Sequence, residues 1–311
     1  MVNPQDIITA AAYNALQTRV RTVLGTATGD SGYGQDVVSR PVNPTDVVTA
    51  ENMRVLNADL NTVSTHQFGY GAGLNTVNPQ DKIGSNGSGG DTTKGFNDYE
   101  NKIASLETTR FNLAATESII NQGTENTRIT PWSTQVVHEF YIEFPGYTTA
   151  GGKYIGPLNH RRAFFNAGGQ IHMSATIEGD NTAKGADWNT ILTNMGTIKF
   201  SATTTEKTGS AGLLQPIGNN DLTTSYQKIF ERRGQADYYA ENRFFMYAKE
   251  TSNRAIQFSI EFEDNDVGDP NDDELIRGTL TSVVKQLRPT GSYVSVKSPA
   301  YSTQSDISEG D

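Results

Sequence analysis

The 311-residue chain contains no cysteine, which excludes disulfides, thiolate metal sites and cysteine nucleophiles. It also lacks a basic excess: 25 Lys and Arg stand against 35 Asp and Glu, for a formal net charge of -10. Binding a nucleic-acid backbone requires a dense Lys/Arg stripe that releases counterions, so no nucleic-acid partner is expected. The only basic doublets, Arg161-Arg162 and Arg232-Arg233, read as solvated surface. No apolar run approaches the length of a membrane span, and no membrane partner is expected. The opening Met1-Val2-Asn3-Pro4-Gln5-Asp6 has neither the basic segment nor the apolar stretch of a signal peptide. The expectation is a soluble cytoplasmic product whose later location comes from assembly rather than export.

What is present begins with aromatics. Thirteen Phe and 13 Tyr supply large apolar groups that demand a core, so the chain is not a disordered one. An internal repeat opens the sequence. Asn3-Pro4-Gln5-Asp6-Ile7-Ile8-Thr9-Ala10 recurs as Asn43-Pro44-Thr45-Asp46-Val47-Val48-Thr49-Ala50, and a partial copy begins at Val77-Asn78-Pro79-Gln80-Asp81. Each full unit reads as an Asn-Pro turn, a short extended step, a Thr N-cap and a helix. Ala12, Leu16, Val20 and Val23 step by three or four, as do Met53, Leu56, Leu60 and Val63, the spacing of an amphipathic helix. The glycine-rich stretch between the two helices, residues 25–34, matches no phosphate-binding spacing and reads as an ordinary connection.

Residues 76–95 are Gly/Ser-rich and read as a linker. Beyond them Phe96, Tyr99, Ile103, Leu106, Leu113 and Ile120 follow heptad-like steps interrupted by Arg110 and Glu117. This predicts a helix over 96–123 with a candidate seam between copies of the chain, set against simple packing on its own domain. The candidate assembly residues are therefore Leu16, Val20, Leu56, Leu60, Phe96, Tyr99, Ile103, Leu106 and Leu113.

From Thr134 the period changes to two. Val136, His138, Phe140, Ile142 and Phe144 alternate with polar or mixed positions, as do Ile171 to Ile177 and Ile256 to Phe262. Further strands are expected near 197–202, 226–230, 243–248 and 278–284, with one helix over 187–195 closed by Gly196. The fold class read from these patterns is α+β: a small helical N-terminal region (1–75) with an internal repeat, then an antiparallel β-sandwich, jelly-roll-like, over 130–290. Residues 291–311 read as an extended C-terminal tail.

Catalytic patterns are scarce. The four histidines, His66, His138, His160 and His172, show no metal-ligand spacing. His138 falls on the apolar face of its strand and His172 on the polar face. No Gly-x-Ser-x-Gly elbow exists. Glu261 and Glu263 share one strand face, where a wet amphipathic surface outweighs a glycosidase pair. The acidic stretch 263–274 offers carboxylates for a structural calcium, but Glu263 at its first position and Val267 at its fifth fit the loop poorly. No cofactor is expected, with that calcium as the minor alternative. Tyr238 and Tyr239 offer a weak aromatic platform for a sugar.

Several segments carry a resemblance. Ile8-Thr9-Ala10-x3-Asn14-x-Leu16, Gly32-Tyr33-Gly34-Gln35 and His66-Gln67-x-Gly69 lie in the helical part. Phe164-Phe165-Asn166-Ala167-Gly168-Gly169-Gln170-Ile171, Asp187-Trp188-x-x-Ile191-Leu192-x-x-Met195-Gly196 and Asp221-Leu222-Thr223-Thr224-x-Tyr226-Gln227 lie in the body. Together they resemble virion structural proteins of marine tailed phages, chiefly cyanophages and T-even-like relatives. The resemblance implies a non-enzymatic tail, neck or baseplate-associated fibre or adaptor, made in the host cytoplasm and located in the virion. Its partners would be other virion proteins and itself, a trimer being the expected homo-oligomer, with the N-terminal repeat docking on the particle. The competing expectation is a carbohydrate-binding adhesin of the tail that takes a host surface glycan; a depolymerase is the least supported.

Overall fold

The computed structural model describes residues 8–26, 31–79, 81, 95–234, 238–266 and 275–307. Three helices come first: α1 (Ala10–Leu24), α2 (Ala50–Phe68) and α3 (Phe96–Thr108). Strands β1 (Ser118–Arg128) and β2 (Gln135–Glu143) follow, then a small hairpin of β3 (Tyr147–Thr148) and β4 (Tyr154–Ile155). Helix α4 (Pro157–Asn166), strand β5 (Gln170–Glu178) and helix α5 (Ala183–Met195) lead to β6 (Ile198–Phe200), β7 (Thr205–Lys207) and β8 (Leu213–Leu214). The chain ends with β9 (Gln227–Arg233), β10 (Arg243–Ser252), β11 (Ala255–Glu263), β12 (Thr279–Pro289) and β13 (Ala300–Ile307). These elements divide into two compact units. The first comprises Met1–Ile119, Gly146–Gly169 and Arg288–Lys297; the second comprises Ile120–Pro145, Gln170–Leu287 and Ser298–Asp311.

In the first unit, α1, α2 and α3 pack pairwise. The repeat works as its residues predict. The Thr9 hydroxyl accepts the Ala12 amide at 3.2 Å, and Thr49 forms a reciprocal cap with Asn52, satisfying amides that the first helical turn leaves open. In the second and third copies the Asp46 and Asp81 carboxylates accept the Asn43 and Asn78 amides, so the Asn-Pro-x-Asp turn recurs. The first copy's turn lies outside the described residues, as does most of the expected linker. Gly69, at φ 80°, closes α2 in the left-handed conformation that favours glycine.

The candidate seam residues have a different role from the one expected. Leu16, Val20, Leu56, Leu60, Phe96, Tyr99, Ile103 and Leu106 are buried by the chain's own helices, so none presents a face to a second copy. The helix expected over 96–123 ends at Thr108, where the Thr108 and Thr109 hydroxyls bond back to Ala104 and Ser105 carbonyls. Such back-bonding competes with helix continuation. Leu113 is half-buried beyond the helix end, and the β-branched Ile119 and Ile120 lie in β1. Helix α4 was not anticipated; it starts on Pro157 at N1, where the missing amide does no harm.

The second unit is an antiparallel β-sandwich. Its sheets run β1-β12-β5-β6-β7 and β13-β2-β11-β10-β9-β8. Alternation puts Val136, His138, Phe140 and Ile142 of β2 on the dry face, opposite the half-buried positions between them. Rings of Phe200 and Phe258, 5.2 Å apart, join the two sheets, as does the 2.9 Å bond between the buried His138 Nδ1 and Ser282 Oγ. At one end α5 inserts Trp188 against Trp132 (5.3 Å) and Phe262 (5.9 Å); Gly196 closes the helix as expected. The expected tail is not a loose one. Residues 288–297 belong to the first unit, and β13 pairs with β2 in the sandwich.

Three expected surface positions are interior. Arg161 and Arg232 are buried, and His172, although on the outer face of β5, is buried as well. Burial lowers the His172 pKa to about 4, with Lys199 and Lys285, its register partners on β6 and β12, adding repulsion. His66, fully buried, is likewise lowered to about 4 by burial, against a bond from Nε2 to the Ala167 carbonyl at 3.0 Å. Both native pKa values lie below the ordinary 6.5, so the folded state binds fewer protons than the unfolded one. Their contribution is complete above 6.5 and is lost as pH falls through 4. Urea midpoints should drop from pH 7 to pH 4.5, and His66→Gln should flatten the slope; an unchanged slope in the variant would refute the assignment to His66.

Candidate functional site

The segment after α1 leaves the helical pattern but is not loosely held. The Asp59 carboxylate accepts the Val38 and Ser39 amides at 3.1 and 2.8 Å. Asn14 makes a two-way pair with Val42, amide to carbonyl and carbonyl to amide, both at 2.8 Å. Gln17 donates to the Ser39 carbonyl at 3.1 Å. Helical side chains thus replace the partner strand that these backbone groups lack. A second knot holds the Gly32-Tyr33-Gly34-Gln35 turn. The Gln67 amide donates to Tyr33 Oη (2.8 Å) and to the Leu106 carbonyl (2.9 Å), while its carbonyl accepts from Thr109. Tyr33 Oη in turn donates to the Arg110 carbonyl at 2.6 Å. Burial raises the Tyr33 pKa, keeping the phenol a donor. The motif residues Tyr33, His66 and Gln67 are therefore framework, not reacting groups.

This frame forms the wall of a groove within the first unit. One half, about 620 Å³, runs along residues 35–41 and is lined by the cations Arg21, Arg40 and Lys153. The adjoining half, about 520 Å³, shares Gln35 and Asp36 and is lined by Arg288 and Lys297. Among the described residues, Asp36 is the only acidic one in either lining. It sits against the β3–β4 hairpin, where Thr149 Oγ1 approaches it at 3.4 Å. Arg288 is fixed by a bond to the Val296 carbonyl and Arg40 by a bond to the Val37 carbonyl. Lys153 reaches Thr26 Oγ1. Tyr147 and Tyr293 add ring faces to the second half. Chemically the groove offers hydrogen-bond donors and positive charge, with one acceptor carboxylate. It holds nothing that resembles a nucleophile with its base. Composition alone could not locate it, because its cations are spread over residues 21 to 297.

The other candidates resolve differently. In the second unit, the Lys184 ammonium lies 3.0 Å from Asp264 and 2.8 Å from Asp266, all three nearly fully buried. Burial opposes the charge on Lys184, but the two aspartates outweigh it and hold its pKa above the ordinary value. Burial pushes Asp264 up to about 6 against the pull of Lys184. At neutral pH the ammonium thus neutralises the carboxylates that the calcium reading counted on; residues 267–274 lie outside the described ones. Among the described residues no group of three His, Asp or Glu side chains is placed to hold a metal ion.

On the outer face of the six-stranded sheet, Tyr226 Oη donates to Glu139 at 2.8 Å and Lys249 sits over the Tyr226 ring. Burial raises the Glu261 pKa; the Ser259 hydroxyl opposes the rise, and Glu263 and Glu139 add to it. The cluster is internally paired. Tyr239 is buried and Tyr238 exposed, so the two do not form a shared sugar platform.

Compared with protein families, curated proteins and solved structures, the chain matches none.

Lys184→Ala leaves two buried carboxylates without their cation, an arrangement that destabilises by about 3–5 kcal/mol. The loss should be larger at pH 7.5 than at pH 5. Asp264, already raised to about 6, would rise further without Lys184 and remain protonated at the lower pH, where the missing cation matters less. Urea unfolding at both values checks this, and an equal loss at both would remove the pair from the core of the argument.

Proposed function

We propose that the chain is a structural component of a tailed bacteriophage virion, a tail, neck or baseplate-associated fibre or adaptor that assembles symmetrically with copies of itself and with other virion proteins. It performs no turnover. The segments that resemble such proteins support the reading, and the edge of the five-stranded sheet carries it. Strand β1 is an outermost strand 11 residues long, and none of its described side chains is buried. Ile119 and Ile120 at its start and Ile129 just past its end are exposed, Ile129 to 74%. Apolar side chains exposed along a sheet edge recruit other chains, and these three isoleucines flank the edge on both ends of β1. The expected seam residues other than the half-buried Leu113 are taken up by the helical core, so β1 is the surface to which symmetric assembly is assigned.

A second reading, a carbohydrate-binding module of the phage tail, is favoured by the polar groove alone. Light scattering at two concentrations tests the first. A mass near three times 33.8 kDa is expected at both, with the Ile120→Asp/Ile129→Asp variant falling to the monomer mass while its circular dichroism stays native. A wild-type chain that is monomeric at both concentrations and missing from purified particles by mass spectrometry removes the reading.

A further inference from the structure

We infer that the groove of the helical unit is a binding site for an acidic oligosaccharide, one whose sugar rings carry carboxylates. This rests on the second reading above and gives it a site and a ligand class. Among the described residues, five cations line the two halves against one carboxylate, in a chain whose overall charge is -10. Cations gathered against the sign of the whole molecule produce a local field that attracts anions. Their distribution matters too. Arg21, Arg40 and Lys153 serve one half and Arg288 and Lys297 the other, which suits a ligand with anionic groups repeated along its length rather than a single small anion.

The uncharged lining selects the sugar. Among the described residues the apolar lining is limited to small groups such as Val37, Val38, Pro41 and Val296, with no Leu, Ile, Met or Phe, short of the row of large anchors that a helical peptide needs. Thr148, Ser292 and Ser295 instead present hydroxyl groups, both donors and acceptors, as a ring of hydroxyls requires. Asp36, placed between the halves, accepts a hydroxyl but repels a continuous row of carboxylates, which disfavours an acidic peptide. Tyr293 is 61% exposed beside the second half, leaving its ring face open to the C–H side of a pyranose. The wall is preformed: the bonds from Asp59, Asn14 and Gln17 hold residues 38–42 before any ligand arrives, which limits the ordering cost of binding.

The test titrates the full chain with an oligogalacturonate, a neutral malto-oligosaccharide of matched length and a polyglutamate peptide, at low and high salt. Lys153 and Lys297 are exposed, so Lys153→Gln/Lys297→Gln should keep the fold. Lys285→Gln, on an exposed position of β12, serves as the control. The uronate should bind best and weaken with salt. The double variant should weaken it roughly tenfold, for about 1.4 kcal/mol lost over two partly exposed ion pairs. Tyr293→Ala should weaken both sugars, and the control should change neither. Equal binding of the neutral sugar, still lost in Tyr293→Ala, overturns the acidic class while leaving the carbohydrate reading standing. Preference for polyglutamate, or uronate binding that ignores both variants, overturns the site as proposed. Failure of every sugar to bind overturns the site and the carbohydrate reading together.

Discussion

The carboxylate of Asp59 takes two backbone amides of the segment that follows α1, and Asn14 closes both directions of a bond pair with Val42. Much else in the helical unit depends on this substitution of side chain for strand. A chain leaving a helix carries an amide and a carbonyl at every residue, and burying them unpaired costs about 1–3 kcal/mol each. The 38–42 stretch lies against two helices, which have no free backbone groups in their middle turns to offer. Polar residues on otherwise apolar helical faces solve the problem. That is why Gln17 and Asp59 are buried in α1 and α2. The same residues fix the wall of the groove, so the energetics of the fold and the shape of the candidate site have one origin.

The sandwich obeys a different constraint. Its two sheets meet through alternating apolar side chains and through directional bonds between them. His138 to Ser282 is one, and it ties β2 of one sheet to β12 of the other at one point. The aromatic cluster of Trp132, Trp188, Phe244 and Phe262 closes one end. Next to it, Lys184 with Asp264 and Asp266 contributes little net stability compared with an apolar triad of equal volume, because three charges had to leave water. What it does supply is direction: α5 and the chain just beyond β11 are held at one point by groups that tolerate no exchange of partners.

How far the sequence could be read depends on which periodicity was present. Period two over β2, β5 and β11 was plain, since each strand has one face in the dry layer. The Asn-Pro-x-Asp turns and Thr caps were plain because their bonds span three residues and need no tertiary information. The heptad steps from Phe96 were misleading beyond Leu106. Leu113 and Ile120 continue the spacing by chance, while Thr108, Thr109, Ile119 and Ile120 favour a helix end and a strand. Likewise α4 was hidden by Arg161-Arg162, whose charges suggested water although Arg161 is buried. The groove was illegible for a simpler reason: Arg21, Lys153 and Lys297 come together only because residues 146–169 and 288–297 both return to the helical unit.

The two surfaces assigned a role differ in the physics they use, and salt separates them. The β1 edge offers exposed isoleucines, whose association is insensitive to ionic strength or strengthened by excluded salts. The groove offers cations that are largely exposed, so its attraction fades once the Debye length falls below the spacing of the charges. An assembly held through the edge would therefore persist under conditions in which a ligand leaves the groove. Such a division suits a particle component: contacts that must last are built from apolar surface, and contacts that must be reversible from charge.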